Sequence, residues 1–267
     1  MIGSIPEPFL LFLLALLSAT IGSFLNVVIC RVPQSNSIFT PASHCPKCME
    51  KISLWDNIPI LSYIHLRGQC RQCNEKISFR YPMVEILAVI LTLLIYRVYG
   101  QSSAFLLFTG LAYLLISITF IDIDHFIIPN GFIVLGLVAL LPALTRDWLP
   151  IHWEDGLNGS LCFAGFLFAM GVIGQFILKK ESIGFGDVKL GLVLGGFLGL
   201  ELSVLALYLS FMSAAAIVIF MLIRGNAKRG MKIPFGPYLA AGTLATLLTN
   251  MPSGGNMIIN WYFGTLF

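Results

Sequence analysis

Apolar runs of membrane-spanning length occupy most of this chain, and few folds can absorb them. About 20 apolar residues in helical form cross the hydrocarbon core of a bilayer. Eight segments approach that length, running from Phe9 to Ile29, Val84 to Tyr99, Ala104 to Ile121, Phe132 to Leu144, Leu157 to Leu178, Val188 to Leu200, Leu202 to Ile223 and Phe235 to Leu248. The segments at Phe132 and Val188 are short and are expected to extend into their flanks. With 57% hydrophobic and only 11% charged residues, and a mean hydropathy of +0.88, the chain lies outside the range of a water-soluble domain. The pattern predicts an all-α polytopic membrane protein of about eight transmembrane helices. The first run lacks a basic start and is followed by Arg31 and Pro33, so it is expected to be a retained span rather than a signal peptide.

The basic residues orient these spans. Of the sixteen Lys and Arg residues, seven fall between Arg31 and Tyr81. Lys179, Lys180 and Lys189 follow the fifth span, and Arg224, Lys228, Arg229 and Lys232 follow the seventh. Only Arg97 and Arg146 remain for the opposite face. By the positive-inside rule the rich side is cytoplasmic and both termini are periplasmic. The net charge of +3 is too small, and too well explained by insertion, to indicate nucleic-acid binding.

The one large polar loop carries two CxxC pairs, Cys45-Pro46-Lys47-Cys48 and Cys70-Arg71-Gln72-Cys73, separated by 21 residues. Four thiolates at this spacing suit tetrahedral zinc. A disulfide framework is the weaker reading in a reducing cytoplasm. A closed four-cysteine site leaves no open coordination position, so the metal is expected to be structural. Cys30 and Cys162 lie in apolar runs and read as packing residues.

Ionisable side chains at membrane depth are costly and are functional candidates by default. Asp122, in Ile121-Asp122-Ile123-Asp124, ends the third span, and Asp187, in Gly184-Phe185-Gly186-Asp187, begins the sixth. The topology puts both on the cytoplasmic face. Two carboxylates held close together share one proton, so that one can take a proton from water while the other polarises a peptide carbonyl, the chemistry of an aspartic protease. Gly184 and Gly186 allow close approach of a substrate strand, and Lys189 places a cation nearby. Each acid could alternatively be an ordinary helix cap. A proton-coupled transporter would also use paired acids, but nearer the bilayer midplane and in repeated halves. A membrane scaffold would use the cysteine loop for binding and leave the acids as caps.

Taken together these motifs resemble the bacterial prepilin peptidases, also called type IV leader peptidases. The resemblance rests on Gly22-Ser23-Phe24-Leu25-Asn26 with Arg31 and Pro33, both CxxC pairs, Leu66-Arg67-Gly68, Arg80-Tyr81-Pro82 with Glu85, Ile121 to Asp124 with Ile128-Pro129, Gly184 to Lys189, and Ile233 to Pro237. It implies a GxGD membrane aspartic endopeptidase of the bacterial inner membrane. Such an enzyme removes the basic leader of type IV prepilins or type II secretion pseudopilins, then in many members methylates the new amino terminus using S-adenosylmethionine. By position the catalytic pair is Asp122 and Asp187, with Asp124, Gly184, Gly186 and Lys189 as candidate neighbours. Asp122 is preferred to Asp124 because it stands seven residues before Pro129, as in relatives with a single acid there. The implied organisation is a first transmembrane helix over 1–30, a zinc-binding loop and candidate methyltransferase region over 31–82, and a peptidase core over 83–267. Within this scheme Gly68 and Glu85 mark the candidate methyl-transfer region, and a peptidase without methyl transfer is the alternative. The expected partners are prepilin or pseudopilin substrates and membrane lipid.

Overall fold

The computed structural model describes residues 6–178, 183–225, 232–251 and 255–266. Lys179, Lys180, Lys228 and Arg229, which contribute to the charge argument, lie outside the described residues. The chain divides into two compact units, 1–97 and 98–267.

The N-terminal unit is built from α1 (Glu7–Arg31), the short α2 (Leu61–His65) and α3 (Arg80–Tyr99). α1 and α3 meet where α1 is smallest: a Cβ on Gly22 would lie 2.7 Å from Glu85 Cα and 3.1 Å from Ala88 Cβ. One turn further, the Asn26 side-chain amide donates to the Tyr81 carbonyl at 3.1 Å. A polar residue inside an apolar helix is thereby satisfied, which a lipid environment requires. Between the two helices lies the polar loop, with a 3-10 turn at Val32–Gln34 and another at Leu54–Asn57.

The C-terminal unit contains α4 (Ser103–His125), α5 (Asn130–Thr145), α6 (Trp153–Leu178), α7 (Phe185–Ile223), α8 (Gly236–Leu248) and α9 (Met257–Leu266). α4 is capped at its start by the Ser102 hydroxyl, which accepts the Phe105 N–H at 3.1 Å. It ends at Phe126, in the left-handed region with φ 57°, whose N–H donates to the Asp122 carbonyl. The turn Ile127-Ile128-Pro129 then leads into α5, which begins at Asn130 as Pro129 predicts.

At 39 residues α7 would be about 58 Å long if continuous, nearly twice the hydrocarbon thickness. It breaks at Gly199, whose φ of 75° and ψ of 178° are not helical. The Asp155 carboxylate of α6 accepts the Leu200 N–H at 3.0 Å, capping the second limb. The two limbs coincide with the expected spans at Val188 and Leu202. α6 packs along α7 through glycines: a Cβ on Gly159 would run into the Gly195 carbonyl, and one on Gly195 into the Gly159 backbone. Backbones approach this closely only where side chains are absent, which is how apolar helices gain dispersion contact in a membrane.

Among the described residues five helices, α1, α3, α4, α6 and α7, are long and apolar enough to cross a membrane. At 16 and 13 residues, α5 and α8 are shorter. No β-strand occurs among the described residues, where only isolated bridges are found. α9 has no counterpart among the expected segments. It follows Asn256, which is 1% exposed and donates to the Thr246 carbonyl at 2.9 Å.

Candidate active site and metal centre

Three helix ends converge in the C-terminal unit: the last turn of α4, the first turn of α7 and the start of α8. Asp122 is 5% exposed and Asp187 8%, whereas Asp124 is exposed. Residues two apart on a helix point about 200° apart, so Asp122 and Asp124 necessarily diverge. Asp122 Oδ2 accepts the Gly236 N–H at 2.8 Å, and Asp187 Oδ2 accepts the Gly184 N–H at 3.2 Å. Asp122 and Asp187 lie within electrostatic reach of each other. The site therefore holds two buried acids, each steadied through one oxygen by a main-chain amide. Asp187 also serves as a cap of α7, so capping and pairing are compatible roles for it.

Glycines make this approach possible. A Cβ on Gly236 would lie 2.8 Å from Asp122 Oδ2 and 3.3 Å from its Cγ. A Cβ on Gly184 would stand 3.2 Å from Asp187 Oδ2, and one on Gly186 3.2 Å from Ile128 Cβ, so the start of α7 rests on the turn that precedes α5. The Lys189 ammonium donates to Asn130 Oδ1 at 3.0 Å and stands over the Phe185 ring at 5.0 Å, bracing α7 against α5. Sequence reasoning grouped Gly236 with the family motifs but gave it no place at the acids. Its signal is a glycine between Pro234 and Pro237 at a helix start, where a free N–H is presented.

The N-terminal unit brings Cys45, Cys48, Cys70 and Cys73 together, all four sulfurs lying within 4.8 Å of one another and those of Cys45 and Cys73 3.8 Å apart. Four sulfurs at about 2.3 Å from a tetrahedral ion stand about 3.8 Å apart, so the donor set fits zinc. All four are free cysteines. The two halves are near copies: Cys-x-x-Cys-x-Glu-Lys-Ile-Ser occurs at Cys45–Ser53 and again at Cys70–Ser78. In each, the first cysteine N–H bonds the following Glu carbonyl (Cys45 to Glu50 at 2.9 Å, Cys70 to Glu75 at 2.8 Å). In each, the residue after the second cysteine turns at positive φ (Met49 58°, Asn74 54°) and donates back to the first cysteine's carbonyl. A Lys47–Glu75 ion pair joins the halves.

The sulfurs also feel one another. The Cys45 thiol is lowered to about 6 by backbone N–H donors from Cys48 and Lys47. Cys73, despite a backbone bond from Glu75, is raised to about 11 by burial and the surrounding sulfurs. Nearby, Arg71 grips Asp56 with two donors, Nε to Oδ2 at 2.8 Å and Nη2 to Oδ1 at 2.6 Å, and holds that carboxyl below its ordinary range.

Glu85, buried at 7%, accepts the Ile60 N–H at 2.7 Å. Gly68 lies elsewhere, in the turn after α2. Its φ is 69°, and a Cβ there would meet the Tyr63 hydroxyl at 2.9 Å.

Residues 16–99 match the model of the bacterial peptidase A24 N-terminal domain, and residues 109–219 that of the type IV leader peptidase family. A prepilin leader peptidase/N-methyltransferase of Pseudomonas putida is 32% identical, over 94% of this chain and 95% of that protein. One of Aeromonas salmonicida is 34% identical, over 97% and 96%. A type 4 prepilin-like proteins leader peptide-processing enzyme of Escherichia coli O78:H11 is 38% identical, over 85% and 89%. No solved structure matches the chain. Identity at this level along nearly the whole length places the chain in the type IV leader peptidase family.

Proposed function

We propose that this protein is an inner-membrane aspartic endopeptidase that removes the leader of prepilins or pseudopilins, with Asp122 and Asp187 as the catalytic pair, and then methylates the exposed amino terminus. The observation that carries the reading is the meeting of two buried acids at one end of the helices that bear them. The names of the relatives supply the substrate class. One acid, ionised, takes a proton from water as the water oxygen adds to the scissile carbonyl carbon. The other gives its proton to the carbonyl oxygen. Collapse then breaks the C–N bond, and the proton taken from water passes to the leaving nitrogen. The Gly236 and Gly184 amides fix one oxygen of each acid, which favours use of the other for chemistry.

The helix-end position of both acids disfavours a transporter, whose acids belong at mid-membrane. In this reading the chain crosses the membrane eight times, with α7 contributing two crossings, α5 and α8 being short, and both termini periplasmic. The four cysteines hold structural zinc in the region 31–82, the first helix occupies 1–30, and the peptidase core covers 83–267. S-adenosylmethionine is the methyl donor.

The test is cleavage of a purified prepilin by the full chain in detergent. Asp122→Asn and Asp187→Asn should each abolish cleavage, while Asp124→Asn should retain it. Normal cleavage in either of the first two removes that residue from the pair. Loss in Asp124→Asn with activity in Asp122→Asn transfers the role.

A further inference from the structure

The N-terminal unit contains a cavity of about 320 Å³ that plays no part in the chemistry assigned above. Thr20, Ser23, Phe24 and Arg31 of α1 form one wall, and Phe39 and Asn57 of the following loop contribute another. Its size falls in the range of small-molecule sites. We propose that this cavity binds the methyl donor, a nucleoside carrying an amino-acid sulfonium. The proposal rests on the methyl-transfer reading and deepens it by giving the donor a place.

Three features of the wall select this ligand. Three hydroxyls (Thr20, Ser23 and Ser43) and the Asn57 amide stand beside two aromatic rings, a combination that suits a ribose and a purine face together. Among the described residues Arg31 is the one charged side chain lining the cavity. A cation there offers a partner for the donor's carboxylate. Arg31 is also fixed in place, with Nη1 donating to the Ser37 carbonyl at 3.0 Å and Nη2 to that of Pro41 at 2.7 Å. An already oriented guanidinium loses little freedom on binding.

Glu85 acts behind this wall as a positioning residue. Its backbone packs against Gly22 of α1, and its carboxylate holds the N–H of Ile60. Ile60 has φ 62°, a costly conformation for a β-branched residue that persists only where its surroundings enforce it. Glu85 thus ties α1 to the Asn57–Pro59 edge of the cavity. Gly68 is not on the wall. Its glycine is required by the turn against Tyr63, so the region marked by Gly68 and Glu85 resolves into a structural turn and a cavity support. During transfer the terminal amine, having lost a proton to water, forms the new N–C bond as the C–S bond breaks, and the sulfur leaves as a neutral thioether.

Binding of S-adenosylhomocysteine to the full chain in detergent, measured by titration calorimetry, tests the assignment. Ser23→Leu and Asn57→Leu should each weaken binding at least tenfold, with zinc content and leader cleavage unchanged. Arg31→Gln should weaken S-adenosylhomocysteine but leave 5′-methylthioadenosine, which has no carboxylate, unaffected. Wild-type affinity in both leucine variants, or equal weakening of the two ligands by Arg31→Gln, overturns the proposal. Should the leucine variants lose zinc or cleavage, photolabelling of the wild type with an 8-azido donor decides. Adducts within residues 20–57 support the cavity, and adducts confined to 60–80 refute it. A wild type that neither binds the donor nor methylates ends the methyl-transfer reading itself, whereas methylation that survives the cavity variants ends only this placement.

Discussion

Gly236→Ala isolates the main-chain support of Asp122. The added methyl would sit 2.8 Å from Oδ2, closer than a carbon approaches an oxygen, and a tight 3.3 Å from Cγ. Asp122 is 5% exposed and has little space in which to withdraw, so its carboxylate must rotate or the start of α8 must retreat. Either movement lengthens the 2.8 Å bond from the Gly236 N–H. A hydrogen bond to a charged group contributes roughly 1.5–3 kcal/mol, which corresponds to about a 10- to 150-fold loss of rate. Displacement of a reacting group by under an ångström has an effect of similar size. The assay is prepilin cleavage by the purified variant, read as kcat/KM, with zinc content as the check on folding. Gly184→Ala is the internal comparison: its methyl would lie at 3.2 Å from Asp187 Oδ2, a contact a small shift relieves, so its loss should be several-fold smaller. Cleavage within twofold of wild type in Gly236→Ala would refute the idea that this amide orients a catalytic acid.

Two further outcomes follow from the N-terminal unit. Protein purified without chelators should carry one zinc per chain, and Cys→Ser at 45, 48, 70 or 73 should lower occupancy in elemental analysis and speed proteolysis of the loop before cleavage suffers. Asp56→Asn should likewise speed limited proteolysis around Leu54–Asn57 at neutral pH. Because Arg71 lowers the Asp56 pKa, the wild-type contact is complete above the ordinary carboxylate range and fades as pH falls through the lowered value, so the difference between variant and wild type should vanish in acid.

The helical segments were legible because hydropathy is local: each expected span coincides with a helix or with a limb of α7. The bend at Gly199 appears in sequence only as a gap between apolar runs, since its capping by Asp155 requires α6 to lie alongside. α9 was missed because its ten residues are too few to read as a crossing. The cysteine cluster was legible from spacing alone. A shared face for the two acids followed from counting basic residues, but which of Asp122 and Asp124 turns inward depends on how α4 is rotated, and that is set by packing. The Gly236 amide, 114 residues from Asp122 along the chain, could not be connected to it by any local pattern. Nor could the cavity, whose walls come from one face of α1 and a loop with no periodicity.

The duplicated knuckles bear on how the segment between α1 and α3 keeps its shape. Neither the 3-10 turn at Leu54–Asn57 nor α2 buries a single residue, and Leu54 and Trp55 are 89% and 79% exposed. With so little apolar burial, this stretch relies on polar ties such as Arg71–Asp56 and Ile60–Glu85, in the manner of small domains that lack enough apolar surface to fold around a centre. Each knuckle is closed by its own backbone bonds, so a metal held by the four sulfurs would have only to join two closed pieces. Such a joint would behave as a rivet: with it in place the span between Cys48 and Cys70 would be held at both ends, and without it each piece would keep its backbone bonds while the distance between them was lost.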